Sequence, residues 1–211
     1  MIQVILCDDH ALIRRGIRDT LSDAPDIEVV GEASDYPELR NLMRTQGCDV
    51  LVLDINMPGR SGLDVLHALK EEGSQVRVLI VSMYPEDQYA IRALRAGAQG
   101  YVNKGGDPQS LVLAVRTVSQ GRKYVTPEIA QMLVESLTAS TTEQAHQKLS
   151  DRELQTLVMI ASGKRLSDIA EELMLSPKTV SVYRARVLEK LNLANNSEMT
   201  VYAIRNGLVG S

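Results

Sequence analysis

The chain has no phenylalanine and no tryptophan, so leucine, isoleucine, valine and methionine must fill its interior, with seven tyrosines as its aromatic residues. Cysteine is scarce too, with two in the whole chain. Cys7 and Cys48 each flank an apolar run and do not form a C-x-x-C pair, which argues against a disulfide framework or a zinc site and for reduced, buried thiols. No apolar run approaches the roughly 18 residues of a membrane span. The opening residues, Met1-Ile2-Gln3-Val4-Ile5-Leu6, enter such a run without a basic start or a small-residue cleavage site. The chain therefore reads as cytoplasmic and without a membrane partner. A strong excess of one charge is also missing, the formal net charge being −4.

What is present fits a two-domain globular protein: 211 residues, 44% hydrophobic and 24% charged. Charge is distributed unevenly. Residues 1–122 carry 13 lysines and arginines against 17 acids, residues 123–147 carry 1 against 3, and residues 148–211 carry 9 against 7. Only the last segment is net positive, too weakly for charge alone to argue for nucleic acid. Along the first 122 residues, short apolar runs at 3–7, 28–32, 50–53, 77–81 and 100–102 alternate with amphipathic segments at 10–21, 35–46, 62–72, 86–96 and 108–120. That rhythm predicts five βα units, a doubly wound parallel sheet with helices on both faces.

The central run is Val50-Leu51-Val52-Leu53-Asp54-Ile55-Asn56-Met57-Pro58-Gly59. Four branched apolar residues in succession predict a strand covered on both faces, and Met-Pro-Gly stops it. Asp54 is thereby delivered to the carboxyl end of a parallel strand, where open α/β sheets bind ligands. Asp8 and Asp9 follow the first strand, Ser82 ends the fourth and Lys104 follows the fifth, so these groups converge on one edge. Taken singly, each has a duller explanation: a helix cap for Asp8 or Asp9, a loop hydroxyl for Ser82, a solvated lysine for Lys104.

Together, Asp8-Asp9, Asp54-Ile55-Asn56-Met57-Pro58-Gly59, Ser82, Ala96-Gly97-Ala98-Gln99-Gly100-Tyr101 and Lys104 resemble the receiver domain of bacterial two-component response regulators. The resemblance implies that Asp54 accepts a phosphoryl group from a sensor histidine kinase. It implies that Asp8, Asp9, Asp54 and the backbone carbonyl of Asn56 hold Mg2+. It further implies that Ser82 and Lys104 bind the phosphoryl oxygens and that Tyr101 is the aromatic that rotates on switching, although a tyrosine there also reads as an ordinary strand aromatic. These residue types suit the chemistry, since phosphoryl transfer asks the protein mainly for a nucleophile, in-line positioning and charge neutralisation. One departure is the Gly105-Gly106 pair after Lys104, where many receivers have proline; a looser loop is the expectation. A haloacid-dehalogenase-like phosphatase would also use a strand-end aspartate and magnesium, but it needs an acid two residues on, where this chain has Asn56. The protein is therefore not expected to be an enzyme.

After Gly121 the pattern changes. Thr126 and Pro127 open a helical stretch with Ile129, Met132, Leu133 and Leu137 on one face, and residues 138–147 then lack apolar periodicity, so that 123–147 reads as a linker with a helical first part and a solvated His146. From 148 to 211 four short helices are expected. Leu149-Ser150-Asp151-Arg152-Glu153 holds a capping box, Ser167 caps a short helix at 168–174, Ser176-Pro177 opens a third that runs to Leu191, and Asn196-Ser197-Glu198 starts the fourth. On a helical wheel the third helix turns Val180, Tyr183, Val187 and Leu191 to the core. Lys178, Ser181, Val182 and Ala185 lie opposite, flanked by Thr179, Arg184, Arg186 and Lys190. A slim reading face with cationic flanks suits a DNA major groove, while an ordinary solvated face is the plainer reading of that helix alone.

Leu149-Ser150-Asp151-Arg152-Glu153, Ile169-Ala170-Glu171-Glu172-Leu173, Leu175-Ser176-Pro177-Lys178-Thr179-Val180 and Leu188-Glu189-Lys190-Leu191 resemble the LuxR-type helix-turn-helix domain, the output module of NarL/FixJ-type response regulators. The resemblance implies that Lys178, Thr179, Ser181, Val182 and Ala185 face the groove of double-stranded operator DNA. It implies that the last helix pairs two activated copies into a homodimer, with RNA polymerase as a further candidate partner. The whole chain thus reads as a receiver at 1–122, a linker, and an all-α helix-turn-helix domain at 148–211. The competing reading is an atypical regulator that dimerises and binds DNA without phosphorylation.

Overall fold

In a computed structural model, which describes residues 1–57, 59–84, 86–138 and 145–209, the chain divides into two compact units, Met1–Thr138 and Ala139–Ser211. Pro58 and the expected linker residues 139–144 lie outside the described residues, as does the side chain of Leu137.

The first unit alternates strands and helices: β1 (Ile2–Cys7), α1 (Ala11–Ser22), β2 (Ile27–Ala33), α2 (Tyr36–Thr45), β3 (Val50–Asp54), α3 (Gly62–Glu71), β4 (Arg77–Ser82), α4 (Glu86–Ala96), β5 (Gly100–Asn103) and α5 (Pro108–Ser119). All strand pairs are parallel, in the order β2-β1-β3-β4-β5, so every carboxyl end falls on one edge. The register places Cys7 opposite Leu53 and Asp54 opposite Val81, which brings the ends of β1, β3 and β4 level.

The two-residue period of a strand decides which side chains share a face. Val4, Leu6, Val50, Val52, Leu79, Val81 and Val102 pack in one cluster with Leu21 of α1 and Leu111, Val115 and Val118 of α5. Asp8, Asp54 and Lys104 continue the same alternation at the strand ends, so the three charges top this layer. Without phenylalanine or tryptophan, aliphatic side chains fill the interior as expected, and Tyr89 and Tyr101 are its largest buried members.

A sixth helix, α6 (Pro127–Thr138), continues the first unit instead of standing apart in a linker. Gly100 of β5 forms a parallel bridge with Tyr124, Thr126 Oγ1 donates to Glu86 Oε2 at 2.8 Å, and Ile129 is fully buried. Its apolar face had a docking site on the sheet unit that periodicity alone could not name.

The second unit begins with a 3-10 turn (Ala145–Lys148), followed by α7 (Asp151–Ala161), α8 (Leu166–Glu172), α9 (Pro177–Leu191) and α10 (Asn196–Arg205). Two caps follow the sequence: Ser150 forms the full capping box with Glu153, and Ser176 accepts from Thr179 N–H; the last helix starts at Asn196 as expected, but its cap is the preceding Asn195, which accepts from Glu198 N–H. Asn192 in the left-handed region stops α9. The start of α8 differs from expectation. Arg165, not Ser167, occupies the cap position; its N–H meets Asp168 Oδ2 at 3.4 Å, and the Ser167 hydroxyl turns to the other Asp168 oxygen. Leu154, Leu157, Ile169, Leu173, Val180, Val187, Met199 and Ala203 form the buried interior. Among the described residues no helix is long and apolar enough to cross a membrane.

Candidate functional site

Lys104 links the three strand ends. Its backbone N–H donates to the Ser82 carbonyl at 2.9 Å, which fixes the start of the β5–α5 loop against β4. Its ammonium then lies 2.8 Å from Asp8 Oδ2 and 2.9 Å from Asp54 Oδ2. The lysine side chain is almost fully buried, which removes the solvated-lysine reading. Asp9 stands at the rim, its Oδ1 2.8 Å from His10 Nδ1, while the His10 N–H donates to Asp8 Oδ1 at 2.8 Å.

Asp8 and Asp54 are almost fully buried. Beyond the Lys104 ammonium and the backbone N–H of Asn56, the buried Asp54 carboxylate finds no hydrogen-bond partner among the described residues. Burial pushes the Asp54 carboxyl above its ordinary range; Lys104 pulls it back, and repulsion from Asp8 adds to the rise. Three carboxylates around one ammonium leave an excess of negative charge. Candidate ligand atoms of Asp8, Asp9, His10 and Asp54 all lie within 4.8 Å of one another, close enough for one ion to bridge. Oxygen donors with unsatisfied, buried lone pairs fit a hard divalent cation.

The loop after Asp54 depends on a residue that composition did not single out. Ser61 caps α3 through a capping box with Asp64, which brings Gly62 N–H to the Ile55 carbonyl at 2.9 Å. A Cβ on Gly62 would fall 2.0 Å from the Asp54 carbonyl oxygen, so only glycine lets α3 start this close to the end of β3. Asn56 is half-buried in that loop, where its Oδ1 accepts a long bond from Tyr84 Oη at 3.5 Å.

On the opposite alternation of β4 and β5, Ser82 and Tyr101 are both fully buried. Tyr101 Oη donates to the Tyr84 carbonyl at 2.7 Å, and Asn103 Nδ2 donates to the same oxygen at 3.1 Å. The residues after Ser82 are thus tied to β5, with Tyr84 stacked on Tyr89 at a centroid distance of 4.5 Å. Burial raises the Tyr101 phenol above its ordinary value, which keeps it a neutral donor. The Gly105-Gly106 loop is also held: Asn103 accepts from Gly105 N–H through its side chain at 2.8 Å and from Gly106 N–H through its carbonyl at 3.1 Å. The missing proline is replaced by these bonds.

Cys7 is buried with its thiol pushed up to about 12 by burial and by Asp8 beside it, and half-buried Cys48 is pushed up to about 11, mainly by burial. Both thiols stay protonated and unreactive.

In the second unit, α9 keeps Val180, Val187 and Leu191 buried, but Tyr183 is only half-buried, because its turn of the helix faces the edge of the small core. Lys178, Ser181, Val182, Ala185 and Arg186 are exposed, Val182 at 42%. Other candidates are engaged within the chain. Ser181 Oγ donates to the Pro177 carbonyl at 2.9 Å, the Thr179 and Ser176 hydroxyls lie 2.8 Å apart, and Arg184 Nε meets Asn196 Oδ1 at 2.5 Å. Lys190 pairs with the buried Glu153 at 2.6 Å. Burial alone would raise the Glu153 carboxyl, yet the bonds from Lys190 and Ser150 outweigh it and hold it below its ordinary value. His146 is not solvated: it is buried, its N–H and its Nδ1 each 3.1 Å from Tyr202 Oη on α10.

Comparison with known proteins matches both halves. Residues 4–116 match the response regulator receiver domain, and residues 147–203 match the bacterial regulatory proteins of the luxR family. The chain is 41% identical over 209 residues to the response regulator UvrY of Escherichia coli, covering 99% of this chain and 96% of the relative. It is 37% identical over 210 residues to the response regulator GacA of Pseudomonas aeruginosa, covering 99% and 98%. Among solved structures, RcsB from Salmonella enterica serovar Typhimurium, bound to promoter rprA in the presence of the phosphomimetic BeF3−, aligns with a TM-score of 0.65 at 26% identity, covering 95% and 97%.

Proposed function

The chain belongs to the NarL/FixJ-type two-component response regulators, phosphorylation-regulated DNA-binding transcription regulators, and on that premise we propose that Asp54 is its phosphoacceptor. The observation that carries this is the buried Lys104 ammonium, 2.8 Å from Asp8 and 2.9 Å from Asp54 at the carboxyl edge of the sheet. In the proposed reaction an Asp54 oxygen attacks the phosphorus of a phosphohistidine on the sensor kinase. The O–P bond forms as the N–P bond breaks, and the electron pair returns to the imidazole, which takes a proton. Lys104 neutralises charge on the transferred oxygens, and Ser82 supplies a hydroxyl to one of them. Asp8, Asp9, Asp54 and the carbonyl of Asn56 would hold Mg2+, which supplies further charge neutralisation when bound. No side chain stands at the Asn56 position to act as general acid, consistent with a phosphoryl group that is held and not turned over.

Replacing the Asp54 carboxylate by an acyl phosphate of about two negative charges adds about one charge and three acceptor oxygens, which draws Ser82 and Lys104 inward and shifts the Ser82–Tyr84 segment that Tyr101 and Asn103 grip. In the second unit, Lys178, Val182, Ala185 and Arg186 would meet the major groove of operator DNA, with Thr179, Ser181 and Arg184 reaching it once their internal bonds exchange. Lys190 serves α9 mainly through Glu153. The exposed Val201 and Ile204 of α10, at 46% and 43%, are the surface proposed to pair two copies on adjacent half-sites.

Labelling with a small radioactive phosphodonor tests the phosphoacceptor. Wild type is expected to incorporate label only with Mg2+ present, and Asp54→Asn to incorporate none. Equal labelling of the two proteins would refute the assignment. Absence of label in both, with operator binding intact, would instead support the phosphorylation-independent regulator.

A further inference from the structure

The end of β1 is gripped from behind by a residue one turn into α1. Arg14 Nη1 donates to the backbone carbonyl of Asp8 at 2.5 Å, and Arg14 Nε donates to Glu32 Oε2 at 3.1 Å. Glu32 sits one residue before the end of β2, opposite Leu6, and its other oxygen accepts from Arg18 Nη1 at 3.1 Å. The Arg14 side chain is 18% exposed, so its guanidinium is built into the fold and is not a solvated charge. Asp8 is held elsewhere as well, its N–H donating to the Ala33 carbonyl at 3.1 Å and its Oδ1 accepting from His10 N–H. The clamp therefore runs from β2 through Arg14 to the backbone of one carboxylate of the site, and its members come from positions 8, 14, 18 and 32.

We propose that Arg14 is a positioning residue for phosphoryl transfer: by fixing the Asp8 carbonyl against Glu32, it holds the Asp8 carboxylate where, together with Asp54, it can take a divalent cation. The inference rests on the reading of Asp8 as a cation-holding residue. A planar guanidinium can serve the carbonyl and the carboxylate at once through two separate N–H groups, whereas a lysine ammonium offers a single donor centre.

Two possible roles of Arg14 have opposite signs. If it acted only through its charge, it would repel a cation, and removing that charge would tighten Mg2+ binding. If it acts by positioning, loss of the clamp weakens binding even when the charge is kept, as for groups that orient metal ligands from outside the coordination sphere.

The test is a Mg2+ titration of the full chain followed by amide chemical shifts, with thermal unfolding and phosphodonor labelling alongside. Arg14→Lys and Arg14→Gln are both expected to raise the Mg2+ concentration at half-saturation by about ten-fold, with a smaller change in labelling rate at saturating Mg2+. Glu32→Ala, which removes the outer anchor and leaves the Asp8 contact possible, should fall between these and wild type. Arg14→Lys indistinguishable from wild type, or Arg14→Gln binding more tightly, overturns the proposal. If the Arg14 variants do not fold, Glu32→Ala decides alone: weakened binding supports the clamp and wild-type binding overturns it. A wild type that shows no Mg2+ response overturns the reading of the acidic pair itself, and the clamp with it.

Discussion

At Gly62 a single methyl group is decisive. Because a Cβ would lie 2.0 Å from the Asp54 carbonyl oxygen, Gly62→Ala must push α3 away from β3 or bend the strand end. Overpacking of this kind is expected to cost about 3 kcal/mol and to abolish labelling of Asp54, measured by denaturant unfolding and phosphodonor labelling; a stable, labelled variant would contradict the described packing. The charged residues of the site were legible in the sequence because strand-end acids and a following lysine stand out against apolar runs. Gly62 and Arg14 were not, because what makes them matter is a neighbour brought in by the fold: a carbonyl of β3 for one, a carbonyl of β1 and a carboxylate of β2 for the other. His146 was misjudged as solvated, and the ion pair of Lys190 went unseen, for the same reason. Their partners, Tyr202 and Glu153, lie 56 and 37 residues away, and no local pattern announces them.

Elements were more legible than residues. Helix starts marked by Ser150 and Ser176 carry their signal in the side chain that caps them, whereas α8 starts from a weak contact at Arg165 and was placed about two residues late. The docking of α6 could not be read, since an amphipathic face states that it is covered and not by what. Two predictions belong at this scale. Ser150→Ala removes the cap from α7 and should destabilise the second unit by about 1 kcal/mol, seen as a lowered unfolding midpoint in denaturant; an unchanged midpoint would show that the capping box carries no weight. Glu153 supplies a pH dependence to the same unit. Its folded value lies below the ordinary 4.5, so the pair with Lys190 contributes fully above that pH, and the contribution is lost as the pH falls below it through the folded value. Glu153→Gln should flatten the acid limb of the stability profile in this window. An acid limb identical to that of wild type would remove Glu153 from the account.

For the whole molecule, the central claim is that charge gained at Asp54 in the first unit governs DNA binding by the second. Parallel topology gathers Asp8, Asp54 and Lys104 at one edge of the sheet, and in the proposed mechanism the segment after Ser82, held by Tyr101 and Asn103, is what changes shape. In the second unit the proposed reading face lies on α9, and the exposed Val201 and Ile204 of α10 are the proposed pairing surface. Val201→Glu should therefore lower operator affinity while leaving Asp54 labelling intact, and a loss of labelling would show that the substitution disturbs more than pairing. The most direct measurement is operator affinity at fixed salt, on sites selected from random DNA, for wild type and Asp54→Asn with and without a small phosphodonor and Mg2+. The account predicts that the donor tightens binding by wild type and leaves Asp54→Asn unchanged; a donor that leaves wild type unchanged, or that tightens both alike, would contradict it.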